Sequence, residues 1–420
     1  MKLCVRNATH LEASVDLFVA EGRIVTMTPS GSQPVPEGCE ILDAKGLLLM
    51  PSLVDAHAHL REPGQEYKED IASGLAAAAQ GGFGTVMCMA NTVPVNDTAS
   101  VTRFMMDRAR ASHPHGPHLR PIAAATMGLK GEEMPQFGEM REAGCVAVSN
   151  DGKPVANTEL LRRIMEYAAD FGMTFIDHCE DPHLGHGWMM NEGELSGLLG
   201  VKGQPAAGEA IQAARDILLA ECLGLPVHIA HVSSAMTLDV ISWGKSRGVK
   251  VTAETCPHYL LLDESAIGNY DTAAKVSPPL RRPEDRAALL RGLVDGTLDI
   301  LATDHAPHAS HEKDSTLDVA LFGFTGLDLA LSLTWGLVLD GGLKEADLHR
   351  LWCHAPGRIF DVPVNAFSPG DPADFFLWDP VQKWPANRGN MRSKSLNTPF
   401  LGRELVGRVR HHFIGGEKVV

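Results

Sequence analysis

Two histidines separated by one residue give the strongest local chemical signal in this sequence. The segment Asp55-Ala-His57-Ala-His59 ends an apolar run that begins near Leu47. Side chains two residues apart on a β-strand point to the same face, so both imidazoles would project together. Such a pair at a strand end can offer two nitrogen ligands to one metal ion. The alternative is a polar strand end whose histidines are hydrogen-bonded.

Further residues with metal-ligand chemistry stand where other apolar runs end. They are Asp151, His178, His231 and Asp304. In a (β/α)8 barrel the carboxyl ends of the strands meet at the face that carries the active site. Imidazole and carboxylate suit zinc, and two ions about 3.5–4 Å apart can share a bridging water as nucleophile. The positions therefore predict a two-metal site made of histidines and aspartates.

The elements that must position these residues alternate between short apolar runs and longer amphipathic stretches. The runs that we predict as strands are 47–59, 85–91, 119–126, 145–151, 173–179, 226–233, 249–256 and 299–304. This alternation is typical of a parallel α/β sheet. A closed TIM-type (β/α)8 barrel needs about 250 residues, which residues 48–340 supply. An open doubly wound sheet is the alternative, but no GxGxxG follows the first strand.

Both ends of the chain have strand-like patterns without intervening helices. Apolar residues alternate around 17–25, and strand-like runs return at 373–378 and 404–414. We therefore predict a small β domain formed from both chain termini, residues 1–47 and 365–420. The metal-dependent barrel would then occupy residues 48–364.

Composition excludes several classes of protein. The 420 residues include 52 acidic and 37 basic side chains, for a formal charge of −15. That balance argues against nucleic-acid and anionic-membrane partners, which need clustered Lys and Arg. The eight cysteines form no CxxC pair, and the sequence has no signal-like segment or stretch of about eighteen apolar residues. We expect a cytoplasmic protein with reduced thiols.

Motifs in chain order resemble the dihydroorotase family, of the bacterial class I type within the cyclic amidohydrolase superfamily. They are DAHAHLREPG at 55–64, MANT at 89–92, SNDG at 149–152, HCED at 178–181, HVS at 231–233, PH at 257–258, SPPLR at 277–281 and TDHAPH at 303–308. The resemblance runs from about residue 45 to 375. DAHAHLREPG together with TDHAPH is highly specific.

The resemblance implies a zinc enzyme that interconverts N-carbamoyl-L-aspartate and L-dihydroorotate in de novo pyrimidine (UMP) biosynthesis. It implies two Zn²⁺ per subunit, held by His57, His59, Asp151, His178, His231 and Asp304. Asp304 would also be the catalytic proton shuttle. Substrate contacts are implied for Arg61, Asn91, Ser277, His308, Phe322 and Gly323. We expect a homodimer that acts on a small molecule, and leave open an association with aspartate carbamoyltransferase.

Elementary chemistry agrees with the role implied for Arg61. This residue lies two positions beyond His59, which would place a guanidinium beside the metals. A guanidinium forms paired hydrogen bonds with a carboxylate, and dihydroorotate carries a free carboxylate. A surface salt bridge is the alternative reading of this arginine.

Two positions depart from the family pattern. Asn150 precedes Asp151 where the family usually has a second acidic residue, and we take Asp151 as the bridging ligand. Ser277 stands where the family usually carries Asn. Serine keeps a donor and an acceptor but is shorter, so a water molecule would fill the gap or the substrate would differ slightly.

Two other functions compete with this prediction. Hydantoinases, dihydropyrimidinases and allantoinases resemble this chain, but they bridge their metals with a carboxylated lysine on the fourth strand. The run 145–151 contains no lysine. A catalytically dead barrel that only supports aspartate carbamoyltransferase is the second alternative. Such chains lose metal ligands, whereas this sequence retains all the implied ones.

Overall fold

Strands and helices alternate along most of the chain. The computed structural model describes residues 2–420. Its strands are β1 (Lys2–His10), β2 (Ala13–Ala20), β3 (Arg23–Pro29), β4 (Glu40–Asp43), β5 (Leu48–Pro51), β6 (Leu53–Ala58), β7 (Phe83–Cys88), β8 (His118–Ala124), β9 (Ala147–Ser149), β10 (Thr174–Asp177), β11 (Met190–Asn191), β12 (Gly203–Gln204), β13 (Val227–Ile229), β14 (Val251–Thr255), β15 (Ile300–Leu301), β16 (Phe375–Pro385), β17 (Glu404–Ile414) and β18 (Glu417–Lys418). Its α-helices are α1 (Ile71–Gln80), α2 (Ala99–Ser112), α3 (Phe137–Ala143), α4 (Thr158–Asp170), α5 (Glu194–Leu199), α6 (Ala207–Leu223), α7 (Ala235–Ser246), α8 (Pro257–Leu261), α9 (Pro283–Asp295), α10 (Ser310–Lys313), α11 (Ala330–Leu339), α12 (Glu345–His349) and α13 (Ala355–Ile359). Among the helices within residues 2–420, none combines the length and hydropathy needed to cross a lipid bilayer.

The predicted (β/α)8 barrel is confirmed. Eight parallel strands pair in the order β6, β7, β8, β9, β10, β13, β14 and β15. Every residue of β6 and β7 is buried, because parallel strands of a barrel are covered on both faces. That burial explains why the strands show no apolar–polar alternation in the sequence, apart from Asp55 and His57 in β6.

Specific contacts close the barrel between its last and first strands. The backbone N–H and the hydroxyl of Thr303, just past β15, donate to the Asp55 carboxylate on β6 at 2.9 and 2.6 Å. The backbone N–H of His59 donates to the carbonyl of His305 at 2.8 Å. These contacts bring the His57–His59 segment beside Asp304.

The two chain termini form a separate sheet of eight strands, as predicted. Its order is β18, β17, β16, β5, β1, β2 and β3, with β4 paired to β1. Strand β5 pairs with β16, with Met50 opposite Phe376. The terminal sheet therefore extends to Pro51, beyond the boundary predicted at residue 47. The run 47–59 is also two strands, β5 and β6, and not one. Both are buried, so hydrophobicity alone did not mark the break at Ser52.

The terminal sheet packs firmly against the outside of the barrel. His412 of β17 is fully buried, and its ring nitrogens lie 2.9 Å from the Ser52 hydroxyl and 2.9 Å from the Ala79 carbonyl of α1. The indole of Trp335 on α11 donates to the Pro380 carbonyl of β16 at 3.0 Å. These contacts fix the small sheet relative to the barrel.

Candidate metal and substrate site

The six side chains with predicted metal-ligand roles meet at the carboxyl ends of the barrel strands. His57 lies in β6 and His59 directly follows it. The other four, Asp151, His178, His231 and Asp304, follow the ends of β9, β10, β13 and β15. All six are buried. The parallel strands thus gather residues that are far apart in the sequence.

Asp151 is shared between two groups of potential ligands. One group is His57, His59 and Asp151, and the other is Asp151, His178 and His231. Asp151 Oδ1 lies 3.4 Å from His57 Nε2, 3.4 Å from His178 Nδ1 and 3.5 Å from His231 Nε2. Two ligands each about 2.0–2.1 Å from one tetrahedral zinc ion would be roughly 3.3 Å apart. The spacing therefore fits two cations that share one carboxylate.

Asp304, also a predicted ligand, lies against the first group of potential ligands. Its Oδ1 lies 3.1 Å from His59 Nε2 and 3.7 Å from His57 Nε2. Its Oδ2 has no hydrogen-bond partner among residues 2–420. One oxygen can therefore face a cation while the other remains available to a reacting group.

Three of the four histidines are oriented through their other ring nitrogen. His57 Nδ1 lies 2.8 Å from Glu254 Oε1, and His59 Nδ1 lies 2.8 Å from Asn91 Oδ1. His178 Nε2 lies 3.1 Å from Glu180 Oε2. Such contacts fix the tautomer and aim the opposite nitrogen at a metal. His57 Nε2 is buried with no hydrogen-bond partner among the described residues, as expected of an atom placed for a metal.

The carboxylates around the cluster raise the pKa of His57 and His178 and so favour positive charge there, whereas burial lowers the pKa of His59. Burial alone would lower the pKa of His178, but the carboxylates of Asp151 and Glu180 raise it to about 10. Burial opposes ionisation of Glu254, yet hydrogen bonds from His228 and His57 hold its pKa far below the usual value. A pocket that stabilises cationic imidazoles in this way is suited to metal cations.

Three site residues adopt backbone conformations that L-amino acids rarely occupy. The φ angles of Arg61, His231 and Asp304 are 61°, 33° and 45°. Each such conformation costs of the order of 1–3 kcal/mol and persists only when its surroundings enforce it. The backbone is therefore strained at Arg61, whose guanidinium lines the cavity, and at His231 and Asp304, two of the predicted ligands.

A cavity of about 370 Å³ lies over the predicted metal ligands and is lined by all the residues predicted to contact substrate. Its lining includes Arg61, Asn91, Ser277, His308, Phe322 and Gly323. It adjoins a wider cavity of about 830 Å³, and Trp188 and Phe322 line both. The inner volume lies within the range of roughly 300–1,000 Å³ typical of small-molecule sites.

Arg61 is held by one end and free at the other. Its side chain is buried, and its Nε donates to the Pro307 carbonyl at 3.1 Å. Its two terminal nitrogens make no hydrogen bond to the described part of the chain, residues 2–420. They can therefore bind a carboxylate in the cavity.

His308 and Gly323 form the opposite wall. His308 Nε2 lies 2.6 Å from the Phe322 carbonyl oxygen. That oxygen can only accept, so Nε2 carries the proton and Nδ1 is an acceptor. Gly323 has φ +114°, and an added Cβ would lie 2.6 Å from Ala306 Cβ. Only glycine allows the loop to approach this closely.

The two departures from the family pattern lie in different surroundings. Asn150 accepts a hydrogen bond from the Thr126 hydroxyl at 2.7 Å and donates to the Lys153 carbonyl at 2.5 Å. It therefore stabilises the turn after β9 and makes no contact with the ligand histidines. Ser277 is half-buried and lines the cavity itself.

The structure adds residues to the site that the sequence did not indicate. Glu254 and Glu180 contact His57 and His178, two of the predicted ligands. The sequence offered one signal for Glu254, which is the one charged residue of strand β14 (Val251–Thr255). Asn91, which the sequence did indicate, makes an additional contact, with its Nδ2 3.4 Å from Asp151 Oδ2. Asn91 thus supports His59 and Asp151 as well as lining the cavity.

The fold and the site define a barrel hydrolase of the metal-dependent amidohydrolase type. The L-hydantoinase (dihydropyrimidinase) from Arthrobacter aurescens has the same fold, with a TM-score of 0.86 and 22% sequence identity over 100% of this chain and 96% of that chain. A family model described as dihydro-orotase-like matches residues 46–236.

Two full-length relatives define the family more closely. The dihydroorotase of Syntrophus aciditrophicus is 45% identical over 412 residues, covering 98% of this chain and 96% of the relative. The dihydroorotase of Desulforapulum autotrophicum is 46% identical over 400 residues, covering 95% and 93%. The chain belongs to the dihydroorotase family.

Proposed function

We propose that this protein is a zinc-dependent dihydroorotase that reversibly cyclises N-carbamoyl-L-aspartate to L-dihydroorotate in pyrimidine biosynthesis. One observation carries the proposal: the Asp151 carboxylate lies between two groups of histidines, with a free guanidinium, Arg61, in the same cavity. The first feature supports a two-metal hydrolytic site. The second supports a substrate with a carboxylate.

The donor set fits two zinc ions. His57, His59 and Asp304 would hold one, His178 and His231 the other, and Asp151 both. When bound, zinc polarises the amide carbonyl and lowers the pKa of water towards about 7, which supplies a nucleophile at neutral pH. The buried, unpartnered Nε2 of His57 and the shared carboxylate support this assignment.

Arg61 and the opposite wall would orient the substrate. The terminal nitrogens of Arg61 would bind the carboxylate that dihydroorotate and carbamoyl-aspartate have in common. Asn91 and Ser277 border the same space, and His308 with the Phe322-Gly323 backbone bounds the other side.

Asp304 would move the proton. In hydrolysis, water adds to the ring carbonyl carbon, and Asp304 Oδ2 takes the proton that water gives up. The carbon–nitrogen bond of the ring then breaks, and the same carboxyl returns the proton to the leaving nitrogen. Ring closure reverses these steps. The pKa of Asp304, which burial would raise, is held below its usual value by His59 and His57, so the group is ionised and ready to accept.

A substrate panel tests this function. Purified protein loaded with zinc should turn over dihydroorotate and show little or no activity on hydantoin, dihydrouracil and allantoin, which lack the carboxylate that Arg61 would bind. A preference for any of the other three substrates would contradict the proposal. Loss of turnover on all four would instead favour a non-catalytic scaffold.

The predicted partners are part of the same proposal. The geometry of the cavity supports a small-molecule substrate. A homodimer remains a prediction, and light scattering of the purified chain would measure it. Association with aspartate carbamoyltransferase also remains a prediction, which co-purification of the two proteins would test.

A further inference from the structure

The 317–323 loop forms one wall of the substrate cavity and has no helix or strand of its own. Leu321, Phe322 and Gly323 line the cavity. A segment without regular secondary structure leaves its backbone carbonyls without the usual partners. Such a loop must be held by other groups if it is to present a fixed surface to a substrate.

Two buried lysines supply those partners. Lys275 Nζ donates to the carbonyls of Leu317 and Ala320 at 2.6 and 2.7 Å. Lys313 Nζ donates to the carbonyls of Leu321 and Gly323 at 2.7 and 3.1 Å. The two ammonium groups therefore bind four carbonyls of one short loop.

The two lysines are also joined to each other. Lys313 Nζ donates to the Lys275 carbonyl at 3.1 Å, and the Gly323 N–H donates to that same carbonyl at 2.9 Å. Lys275 Nζ lies 4.2 Å from the centre of the Phe322 ring, a cation–π contact. Each lysine thus contacts the part of the loop that faces the cavity.

Burial of these two ammonium groups is unfavourable for the free energy of folding. Lys275 and Lys313 are 2% and 6% exposed, and neither ammonium forms an ion pair with a carboxylate within residues 2–420. Burying an ammonium without a counter-ion costs much more than burying an apolar side chain of similar size. The position of both beside the substrate cavity indicates a functional reason for keeping them.

We propose that Lys275 and Lys313 are positioning residues for substrate binding, whose ammonium groups fix the 317–323 loop so that Phe322 and Gly323 face the substrate. Neither lysine touches the reacting atoms or the ligand histidines. The proposal rests on the proposed dihydroorotase function, because it assigns the loop to that substrate.

The test compares Lys313→Met and Lys275→Met with the parent. Methionine keeps the length and apolar packing of the side chain but removes the donor. Both variants should raise KM for dihydroorotate about tenfold or more, while kcat changes by less than about threefold and zinc content stays at the parental level. Amide hydrogen exchange in a peptide covering 316–324 should become faster, with exchange in the barrel strands unchanged.

Two further variants separate positioning from general stability. Lys313→Arg keeps a cationic donor and should restore part of the loop protection and of the parental KM. It also replaces Lys313→Met if that variant does not fold. Lys250→Met is the control, because Lys250 also donates to a backbone carbonyl, that of Gly224 at 3.1 Å, and forms no ion pair within residues 2–420. Its KM and loop exchange should equal those of the parent.

Unchanged KM and unchanged loop exchange in both methionine variants would overturn the proposal, as would a fall in kcat with KM unaltered. Loop exchange is measured without substrate. If the parent does not turn over dihydroorotate, the proposed function fails, while the exchange data still decide whether the lysines hold the loop.

Discussion

Single side chains decide which metal and substrate chemistry this site can perform. The strand period predicted that His57 and His59 project together, and their rings lie 5.4 Å apart. Glu254 escaped prediction because its partner His57 is 197 residues earlier in the chain, and no local pattern connects them. A sequence indicates which residues can be ligands, but the groups that orient those ligands depend on the assembled barrel.

Arg61→Ala should damage dihydroorotate turnover far more than metal binding. The change removes a charge-assisted contact with the substrate carboxylate worth about 2–4 kcal/mol, or roughly 30- to 1,000-fold in kcat/KM. Steady-state kinetics would measure this loss, and metal analysis of the same sample should give the parental zinc content. Simultaneous loss of zinc would show that Arg61 is structural.

Glu254→Gln should weaken metal binding without unfolding the barrel. The substitution keeps the size of the side chain but removes the charge that orients His57, and outer partners of this kind contribute about 10- to 100-fold to metal affinity. Competition with a chelator would measure the affinity. Glu221→Gln is a suitable control, because Glu221 pairs with Arg247 on the surface. Equal affinities in parent and Glu254→Gln would contradict this role.

Secondary-structure elements were predictable where hydrophobic periodicity is strong. The alternating runs predicted the barrel strands, and the amphipathic stretches between them include helices such as α4 (Thr158–Asp170). The run 47–59 was misassigned because β5 and β6 are both buried and follow one another directly. The 317–323 loop gave no signal, since irregular backbone has no period and its stabilising lysines lie outside it.

KM for dihydroorotate should depend on pH through the protonation of Lys313, which holds the 317–323 loop. Burial lowers the pKa of Lys313 to about 7, with the Lys275 ammonium adding to the shift and the exposed Asp271 opposing it. Below about pH 7 the Lys313 side chain is an ammonium with three N–H donors, one for each of the carbonyls of Lys275, Leu321 and Gly323. Above it the neutral amine has two, so one of these three hydrogen bonds is lost and the loop loosens.

KM for dihydroorotate should therefore rise between about pH 7 and 9 in the parent and stay nearly constant in Lys313→Met. Asp318, whose charge acts on Lys275, is already ionised in this range and should add no step. Kinetics at fixed zinc and ionic strength would measure both profiles. Identical profiles in the two proteins would remove Lys313 from the explanation.

At the scale of the whole molecule, the segment between the terminal strands β16 and β17 supports the wall of the cavity over the predicted ligands. Between β16 and β17 the chain crosses to the mouth of the barrel, where Asn397 Oδ1 accepts from the His308 N–H at 3.1 Å. The Asn397 Nδ2 donates to the Gly323 carbonyl at 3.0 Å. The sequence predicted two domains but not this contact, because the partners are 89 and 74 residues away in the chain.

Reconstitution of metal-free protein tests the central claim most directly, that two zinc ions share the Asp151 carboxylate in a dihydroorotase. Strand β9 and the residues around it, 145–151, contain no lysine to be carboxylated, so we expect no requirement for carbon dioxide. Dihydroorotate turnover should return with zinc alone, saturate at two zinc ions per chain and ignore added bicarbonate. Asp151→Asn should bind less zinc and lose most turnover, because two nearby dications repel strongly without a shared anion. Bicarbonate-dependent recovery, or full zinc binding and turnover in Asp151→Asn, would contradict the account.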